Sequence, residues 1–201
     1  IPPFISTLGM MTLLRGVILV YTKGSPIPIK VDSYKFFGKG SIAGIPVPVI
    51  ILIVVFLLAH YILTQTTYGR SVYAVGGNRE AARLSGIRVK TSEFLVYTLN
   101  GLMCGMAGLI LTARLGSAQS TSGTGIEMDA IAAVILGGTS LSGGVGFVLP
   151  TVVGAMIMGI IDNILTLMNV NPHATNIVKG AVILIAVLVD KKVKDLSAKA
   201  E

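Results

Sequence analysis

The chain has 201 residues and a net charge of +7, and its composition is that of neither a soluble enzyme nor a disordered tail. Hydrophobic residues make up 53% and charged residues 12%, against roughly 25% charged residues in soluble domains. The mean hydropathy of +0.82 leaves too few charges to cover a water-facing surface, and a single cysteine excludes an intrachain disulfide framework. Sixteen basic residues beside long apolar runs indicate an integral membrane protein oriented by its positive charges, and not a nucleic-acid-binding protein.

Long uncharged stretches predict about six transmembrane helices, since a bilayer core of roughly 30 Å needs roughly 20 apolar residues of helix. Val47–Leu63 is the clearest stretch. The run 130–161 is also uncharged, but its glycines disfavour one continuous helix, so we divide it near Ser142–Gly146. We expect an all-α integral membrane protein, a polytopic bundle with a short cytoplasmic helix and a glycine-rich broken-helix region. The predicted spans are 4–21, 47–63, 94–113, 128–141, 147–168 and 174–189.

The basic residues predict which side of the membrane each loop faces. The loop 65–93 carries five of them and the tail 190–201 carries four, so we expect both to be cytoplasmic. An even number of spans must then lie between them, which favours the short span 128–141. Because Ile1 is not an initiator methionine and no signal peptide precedes the first span, we expect 1–201 to be the C-terminal part of a single, longer membrane domain.

The loop 65–93 contains a short predicted helix. Asn78 is a good N-cap and Gly86 a good C′ residue, and about two helical turns separate them. Arg83 lies four residues after Arg79 and three after Glu80, so we expect a Glu80–Arg83 pair. The small apolar surface that a protein partner could approach consists of Ala81, Ala82 and Leu84. The alternative is an ordinary connecting helix that rests on lipid headgroups.

The glycine-rich segment places polar groups in an apolar run. Asp129, Thr139 and Ser140 would be costly in lipid, so they should face a partner or a cavity. Gly137 and Gly138 would allow another helix or a hydrated path to approach the backbone. The alternative is helix packing, with the hydroxyls bonded to their own carbonyls. The spacing of Gly138 and Gly143 resembles a P-loop, but Gly144-Val145 replaces the required Lys-Ser/Thr, so we expect no ATPase site.

Other polar and small residues in the spans have packing interpretations. Asn100 and Asn163 could line a path, although bonding between helices is the commoner use. A small surface for close helix packing consists of Gly101, Gly105 and Gly108.

Besides Asp129, three charged residues lie inside the predicted spans. Asp162 would be expensive unpaired, so we expect a partner helix outside this chain. Arg15 and Lys179 should extend towards an interface. We expect no metal site and no catalytic pair, because His60, His173 and Cys104 have no suitably spaced partners.

Three segments, in order, carry a resemblance to a known family. The segment 76–87 closely resembles the cytoplasmic coupling segment of bacterial ABC importer permeases of the ribose-type sugar family, through Gly76-Gly77-Asn78, Ala81-Ala82 and Ser85-Gly86-Ile87. Residues 127–146 resemble that family's second signature, and Thr7-Leu8-Gly9-Met10 resembles its opening. One departure is Val148-Leu149-Pro150, where the family more often has a glycine. Pro150 should start or kink the fifth span.

The resemblance implies a transport subunit in the bacterial cytoplasmic (inner) membrane, without a cofactor or an enzymatic activity. It implies a dimer of permeases, two ABC ATPase subunits, an extracytoplasmic sugar-binding protein and contact with membrane lipid, but no nucleic acid. The residues implied to contact the ATPase are Asn78, Arg79, Glu80, Ala81, Ala82, Arg83, Leu84, Ser85, Gly86 and Ile87. The candidates for the translocation path are Asn100, Asp129, Gly137, Gly138, Thr139, Ser140 and Asn163.

We therefore expect ATP-driven import of a monosaccharide such as ribose by alternating access. A gradient-coupled secondary transporter is the alternative, and it should show paired ionisable groups near the midplane and inverted repeats. Asp129 and Asp162 look isolated in the sequence, and no repeat is visible. A membrane assembly subunit without transport remains open, and within the importer class a branched-chain amino acid permease is the competitor.

Overall fold

The computed structural model describes the backbone of residues 3–200 and the side chains of residues 5–171 and 174–188. The predicted tail lysines after residue 190 and His173 lie outside the described side chains. In this part of the chain the helices are α1 (Pro3–Thr22), α2 (Asp32–Lys39), α3 (Val47–Gln65), α4 (Thr67–Gly77), α5 (Arg79–Leu84), α6 (Val89–Leu115), α7 (Ile126–Leu136), α8 (Val148–Leu167) and α9 (Pro172–Ala200). The strands have two residues each: β1 (Ile27–Pro28), β2 (Ser41–Ile42), β3 (Ile45–Pro46) and β4 (Ser117–Ala118).

In the part of the chain that the structure describes, four helices are long and apolar enough to cross a membrane: Ile5–Thr22 within α1, α3, α6 and α8. Most of their large apolar side chains are exposed, although Val47 of α3 and Met158 of α8 are buried. On α3, for example, Leu52, Leu57 and Leu58 are more than 50% exposed. Such surfaces are stable against lipid and would be unfavourable in water. The predicted class, an all-α polytopic membrane protein, is confirmed, apart from the four very short strands.

The exact number of crossings stays a prediction. α7 overlaps the predicted span 128–141, but it begins at Ile126, has 11 residues and ends at Leu136. Such a helix is about 16 Å long, and a bilayer core is roughly 30 Å thick. The apolar part of α9, Ala174–Leu188, is also shorter than a typical span.

The described chain forms two compact units, of which the first comprises residues 1–54 and 99–124. In it, α2 packs on the last turns of α6. The hydroxyl groups of Tyr34 and Thr112 are 2.6 Å apart, and Ala113 is fully buried. Gly38 lies against the backbone of Arg114, where a side chain would clash. The loop before α2 and the loop after α6 are joined by β1 and β4, which pair antiparallel. The strands β2 and β3 form a hairpin.

The second unit comprises residues 55–98 and 125–201, and its core lies between α7, α8 and α9. Ala132, Ala133 and Met158 are buried at the centre of this core. Small residues let α7 and α8 approach closely, because Gly154 lies against the carbonyl of Ala133. A Cβ on Gly137 would be 2.5 Å from the Cα of Thr151, so α7 and α8 run antiparallel.

The start of α8 follows from its sequence. Phe147 is the extended N-cap residue, and Pro150 lies in the first turn, where its missing N–H costs little. The prediction that Pro150 marks the beginning of this helix is confirmed.

The loop 137–147 between α7 and α8 lies beside α4. The Tyr73 hydroxyl donates a hydrogen bond to the carbonyl oxygen of Gly146 at 2.8 Å. Since α4 belongs to the loop 65–93, this contact holds the loop 137–147 beside part of that loop. If the loop 65–93 is cytoplasmic, as expected, the chain returns to the cytoplasmic side before α8, and this return stays a prediction.

We therefore predict that a cysteine at Ser142 reacts with an impermeant maleimide from the same side as a cysteine at Arg88, in a Cys104→Ala background. Both positions are exposed, and the Tyr73–Gly146 hydrogen bond keeps their segments together. A cysteine at Lys39, in the loop 22–46 between the first two predicted spans, should react only from the other side, because one predicted span separates this loop from the loop 65–93. Labelling is measured in sealed vesicles of known orientation. Reaction of Ser142 and Arg88 from opposite faces would contradict the arrangement.

Candidate functional site

The predicted cytoplasmic helix is present as α5, and both of its ends are capped. The Asn78 side-chain oxygen accepts hydrogen bonds from the N–H groups of Glu80 and Ala81 at 3.1 and 3.0 Å. Such a cap contributes about 1 kcal/mol. At the other end Gly86 has a φ of 82°, and the N–H of Ile87 donates to the carbonyl of Ala82. This is a Schellman motif, so the predicted N-cap and C′ residues are confirmed.

The charges of α5 are paired within the chain. Arg79 contacts Glu93 of α6 at 2.9 Å, and Arg83 pairs with Glu80 as predicted. All four side chains are at least 36% exposed, so these pairs orient the helix more than they stabilise it. The arginines of α5 are thus held in place by neighbouring carboxylates.

The apolar surface of α5 differs from the expectation. Ala82 is 4% exposed and packs inward, so its predicted place on the outer surface is wrong. The reason is the tight turn after the helix, which folds the chain towards Ala82. Leu84 is 79% exposed and Ala81 is also exposed. The outer apolar surface of α5 is therefore centred on Leu84.

The glycine-rich loop 137–147 is compact and hydrogen-bonded to itself. Gly138, with a φ of 74°, ends α7 in a second Schellman motif, in which the Thr139 N–H donates to the carbonyl of Val134 at 3.1 Å. The Ser140 N–H donates to the carbonyl of Val145 at 2.9 Å. The Ser140 hydroxyl accepts from the N–H of Ser142. The predicted break in the helix thus has a local cause, and Gly137 and Gly138 have structural roles of their own.

A cluster of three charged residues joins α7, α8 and α9. The Lys179 ammonium nitrogen lies 2.8 Å from Asp129 Oδ2 and 2.9 Å from Asp162 Oδ1. The contact with Asp129 is a hydrogen bond. The contact with Asp162 is an ion pair without hydrogen-bond geometry, since that oxygen has no hydrogen-bond partner in the described part of the chain. We call these residues the Lys179 triad.

The Lys179 triad corrects two expectations. Lys179 does not extend to an interface but pairs inside the unit, and its side chain is 18% exposed. Asp162 pairs within this chain and needs no helix from outside it. Both expectations were wrong because sequence separation hides the packing of α9 against α7. Asp129 and Asp162 are consequently not isolated. Their apparent isolation in the sequence was a reason to disfavour a secondary transporter, and this reason no longer holds.

The triad lies towards the end of the unit that is away from the loop 137–147. Asp129 is in the first turn of α7, and Asp162 lies about 21 Å along α8 from Val148. With both carboxylates ionised the triad carries a charge of −1. One ammonium group thus compensates two carboxylates on partly buried side chains. Removing this ammonium group would leave both negative charges poorly solvated, which is costly.

The remaining predicted residues are two asparagines and three glycines. Asn163 is exposed on α8 beside Asp162, and Asn100 is exposed on α6 in the other unit. Gly101, Gly105 and Gly108 lie on α6, and a Cβ at any of them would meet no atom within 4 Å in the described part of the chain. Their role in helix packing stays a prediction.

We predict that Lys179→Met lowers the free energy of unfolding by about 2 kcal/mol, because it strands two carboxylates in partly buried positions. The measurement is the unfolding temperature of the purified protein in detergent. Replacing Asp129 and Asp162 by Asn in the same variant should recover most of the loss. Lys35→Met is the control, since Lys35 pairs with Asp32, whose side chain is 91% exposed. Equal unfolding temperatures for Lys179→Met and the unmodified protein would contradict the role of the triad.

Comparison with known proteins places the chain among transport proteins. Over 193 residues, or 94% of this chain and 60% of the relative, it is 53% identical to the ribose import permease protein RbsC of Escherichia coli K12. It is 50% identical to the ribose import permease protein RbsC of Bacillus subtilis strain 168, with the same coverage. Over 75% of the chain and 38% of the relative, it is 48% identical to the xylose transport system permease protein XylH of Escherichia coli K12.

The chain spans about 60% of the length of the ribose permeases that it matches. No solved structure matches it at a significant level. A family model described as branched-chain amino acid transport system, permease component, matches residues 1–187. This match covers nearly the whole chain and agrees with its exposed apolar helices. The chain therefore belongs to the family of branched-chain amino acid transport system permease components, whose members are membrane transport subunits.

Proposed function

We propose that the protein carrying this chain is the transmembrane subunit of an ABC importer that moves a monosaccharide, such as ribose, across the bacterial inner membrane. The observation that carries the proposal is the 53% identity to a ribose import permease over 94% of the chain. A relative named for xylose transport, at 48% identity, supports a sugar as the substrate class. Sequences this similar share their backbone and most buried residues.

The proposed mechanism is alternating access driven by separate ATPase subunits. In this mechanism the ATPase partners supply the energy, and the G-x-x-x-x-G spacing of this chain is not followed by the Lys-Ser/Thr of a P-loop. α5 is the proposed contact for that partner. It is short, capped at both ends and presents Leu84 to the outside. An exposed leucine on a rigid helix can fill an apolar pocket at low entropic cost.

The proposal includes three further partners and a path. An extracytoplasmic sugar-binding protein would deliver the substrate, a second permease copy would complete the pore, and lipid would cover the apolar helices. The path candidates remain Asn100, Asp129, Gly137, Gly138, Thr139, Ser140 and Asn163. Among them Asn163 is exposed and follows Asp162 of the Lys179 triad in the chain.

Two alternatives have specific support. The Lys179 triad is a set of paired ionisable groups, which a proton- or ion-coupled transporter would also need. The family description names branched-chain amino acids, so an amino acid substrate is the second alternative. We favour ribose over an amino acid as the substrate because two of the relatives are named as ribose import permeases.

We predict that proteoliposomes containing the whole protein with its ATPase and binding-protein partners take up radiolabelled ribose only when ATP is supplied. ATP is required because, in the proposed mechanism, hydrolysis by the ATPase subunits drives the alternating access. Vanadate, which blocks ABC ATPases, should abolish uptake. Uptake driven by an imposed proton gradient without ATP would favour the secondary transporter, and uptake of leucine instead of ribose would favour the amino acid permease.

We predict that Leu84→Asp reduces retention of the ATPase subunits at least about tenfold, corresponding to about 1.4 kcal/mol of binding free energy. Because Leu84 is 79% exposed, the change should leave the unfolding temperature nearly unaltered. Retention is measured by co-purification from detergent-solubilised membranes.

The matched control is Val31→Asp, since Val31 is 62% exposed and lies in the loop 22–46, between the first two predicted spans. That variant should retain the ATPase normally. If Leu84→Asp also retains it, α5 is not the docking element.

A further inference from the structure

The last turn of α4 and the glycine-rich loop meet backbone to backbone. A Cβ on Gly144 would lie 2.7 Å from the Cα of Gly77, and a Cβ on Gly76 would lie 2.9 Å from the nitrogen of Gly144. A Cβ on Gly143 would clash with the carbonyl oxygen of Gly76. Real Cβ atoms almost never come within 3.0 Å of such neighbours. Gly76, Gly143 and Gly144 therefore permit a close contact that a side chain at these positions would prevent, whereas a Cβ on Gly77 would meet Gly144 only at 3.7 Å.

A side-chain hydrogen bond extends this contact. The Tyr73 hydroxyl donates to the Gly146 carbonyl at 2.8 Å. Tyr73, Gly76 and Gly77 are spaced by three and four residues, so they lie on one face of α4. Gly143 and Gly144 have φ values of 85° and 76°, which presents the loop backbone to that face. We call this set of contacts the α4–loop clamp.

The clamp is directly continuous with α5 on one side. Asn78 is both the C-cap of α4 and the N-cap of α5, so no flexible linker separates the two helices. Its N–H donates to the carbonyl of Ala74, and its side chain caps α5. A displacement of α5 must therefore move the last turn of α4.

The clamp is equally close to two membrane helices on its other side. Gly146 is followed by Phe147, the N-cap of α8. The loop is closed by the Ser140–Val145 hydrogen bond and begins at Gly137, which packs on Thr151. The loop therefore has little freedom to absorb a movement before it reaches α7 and α8.

We propose that Tyr73, Gly76 and Gly144 are positioning residues that transmit movement of α5 to α7 and α8 through the α4–loop clamp. The inference rests on the proposed function, in which an ATPase moves α5. Replacing these three residues should leave ATPase docking intact and reduce the sugar transported per ATP hydrolysed. A merely structural role would lower transport, ATP hydrolysis and thermal stability together.

The test uses the complete complex in lipid nanodiscs or proteoliposomes, with ATP hydrolysis and ribose transport measured on the same preparation. Gly144→Ala should retain the ATPase subunits and their hydrolysis but reduce ribose transported per ATP at least about tenfold. Gly123→Ala is the matched control, because Gly123 has a φ of 81° but an added Cβ would meet nothing within 4 Å. An unchanged ratio in Gly144→Ala, or a proportional loss of both activities, would overturn the proposal.

Tyr73→Phe keeps the proposal testable if Gly144→Ala fails to fold, since it removes one oxygen and adds no atom. It should lower the same ratio about two- to fivefold, and a ratio equal to that of the unmodified complex would overturn the role of Tyr73. Hydrogen exchange of residues 137–147 in the permease alone does not depend on transport. Tyr73→Phe should accelerate this exchange at least about threefold. An unchanged exchange rate would refute the clamp, whereas absence of ATP-driven ribose uptake by the unmodified complex would refute only the proposed function.

Discussion

Lys179 holds three helices of the second unit to one another, because its ammonium group is shared by the carboxylates of Asp129 and Asp162. In lipid, apolar side chains gain little from packing on one another rather than on acyl chains. Polar contacts and close packing must then supply the specificity of helix association. The core between α7, α8 and α9 has both, since Ala132, Ala133 and Met158 pack beside the charged residues. The arrangement of α7 depends on both, because an 11-residue helix is too short to be held by lipid on its own.

Glycine has two distinct uses in this unit. At Gly137, Gly154 and Gly144 it removes a side chain where another backbone passes, and at Gly86 and Gly138 it supplies a left-handed residue that ends a helix. Both uses occur within the same glycine-rich signature. The break between α7 and α8 is therefore as specifically built as the helices on either side of it, and its glycines do not by themselves indicate a pathway.

The sequence predicts well the features that local physics decides. The caps of α5 follow from Asn78 and Gly86, and the start of α8 follows from Pro150, because each depends on neighbouring residues alone. The Lys179 triad was missed, since its members are 17 to 50 residues apart and meet only through packing. Its signal was present as opposite charges in separate apolar helices. The inward position of Ala82 and the contact of Tyr73 with Gly146 likewise depend on tertiary structure.

The two Schellman motifs determine which amino acids can replace the glycines that end α5 and α7. Gly86 and Gly138 have empty space around the position of a Cβ, yet each adopts a φ that other residues rarely accept. Gly154 has an ordinary φ but no space. In a library of functional variants, substitutions would be rare at all three positions, because of backbone conformation at Gly86 and Gly138 and because of lack of space at Gly154. Asparagine, which tolerates left-handed backbone, would survive best at Gly86 and Gly138 and not at Gly154. Amino acid preference, and not depletion alone, thus distinguishes a backbone requirement from a steric one.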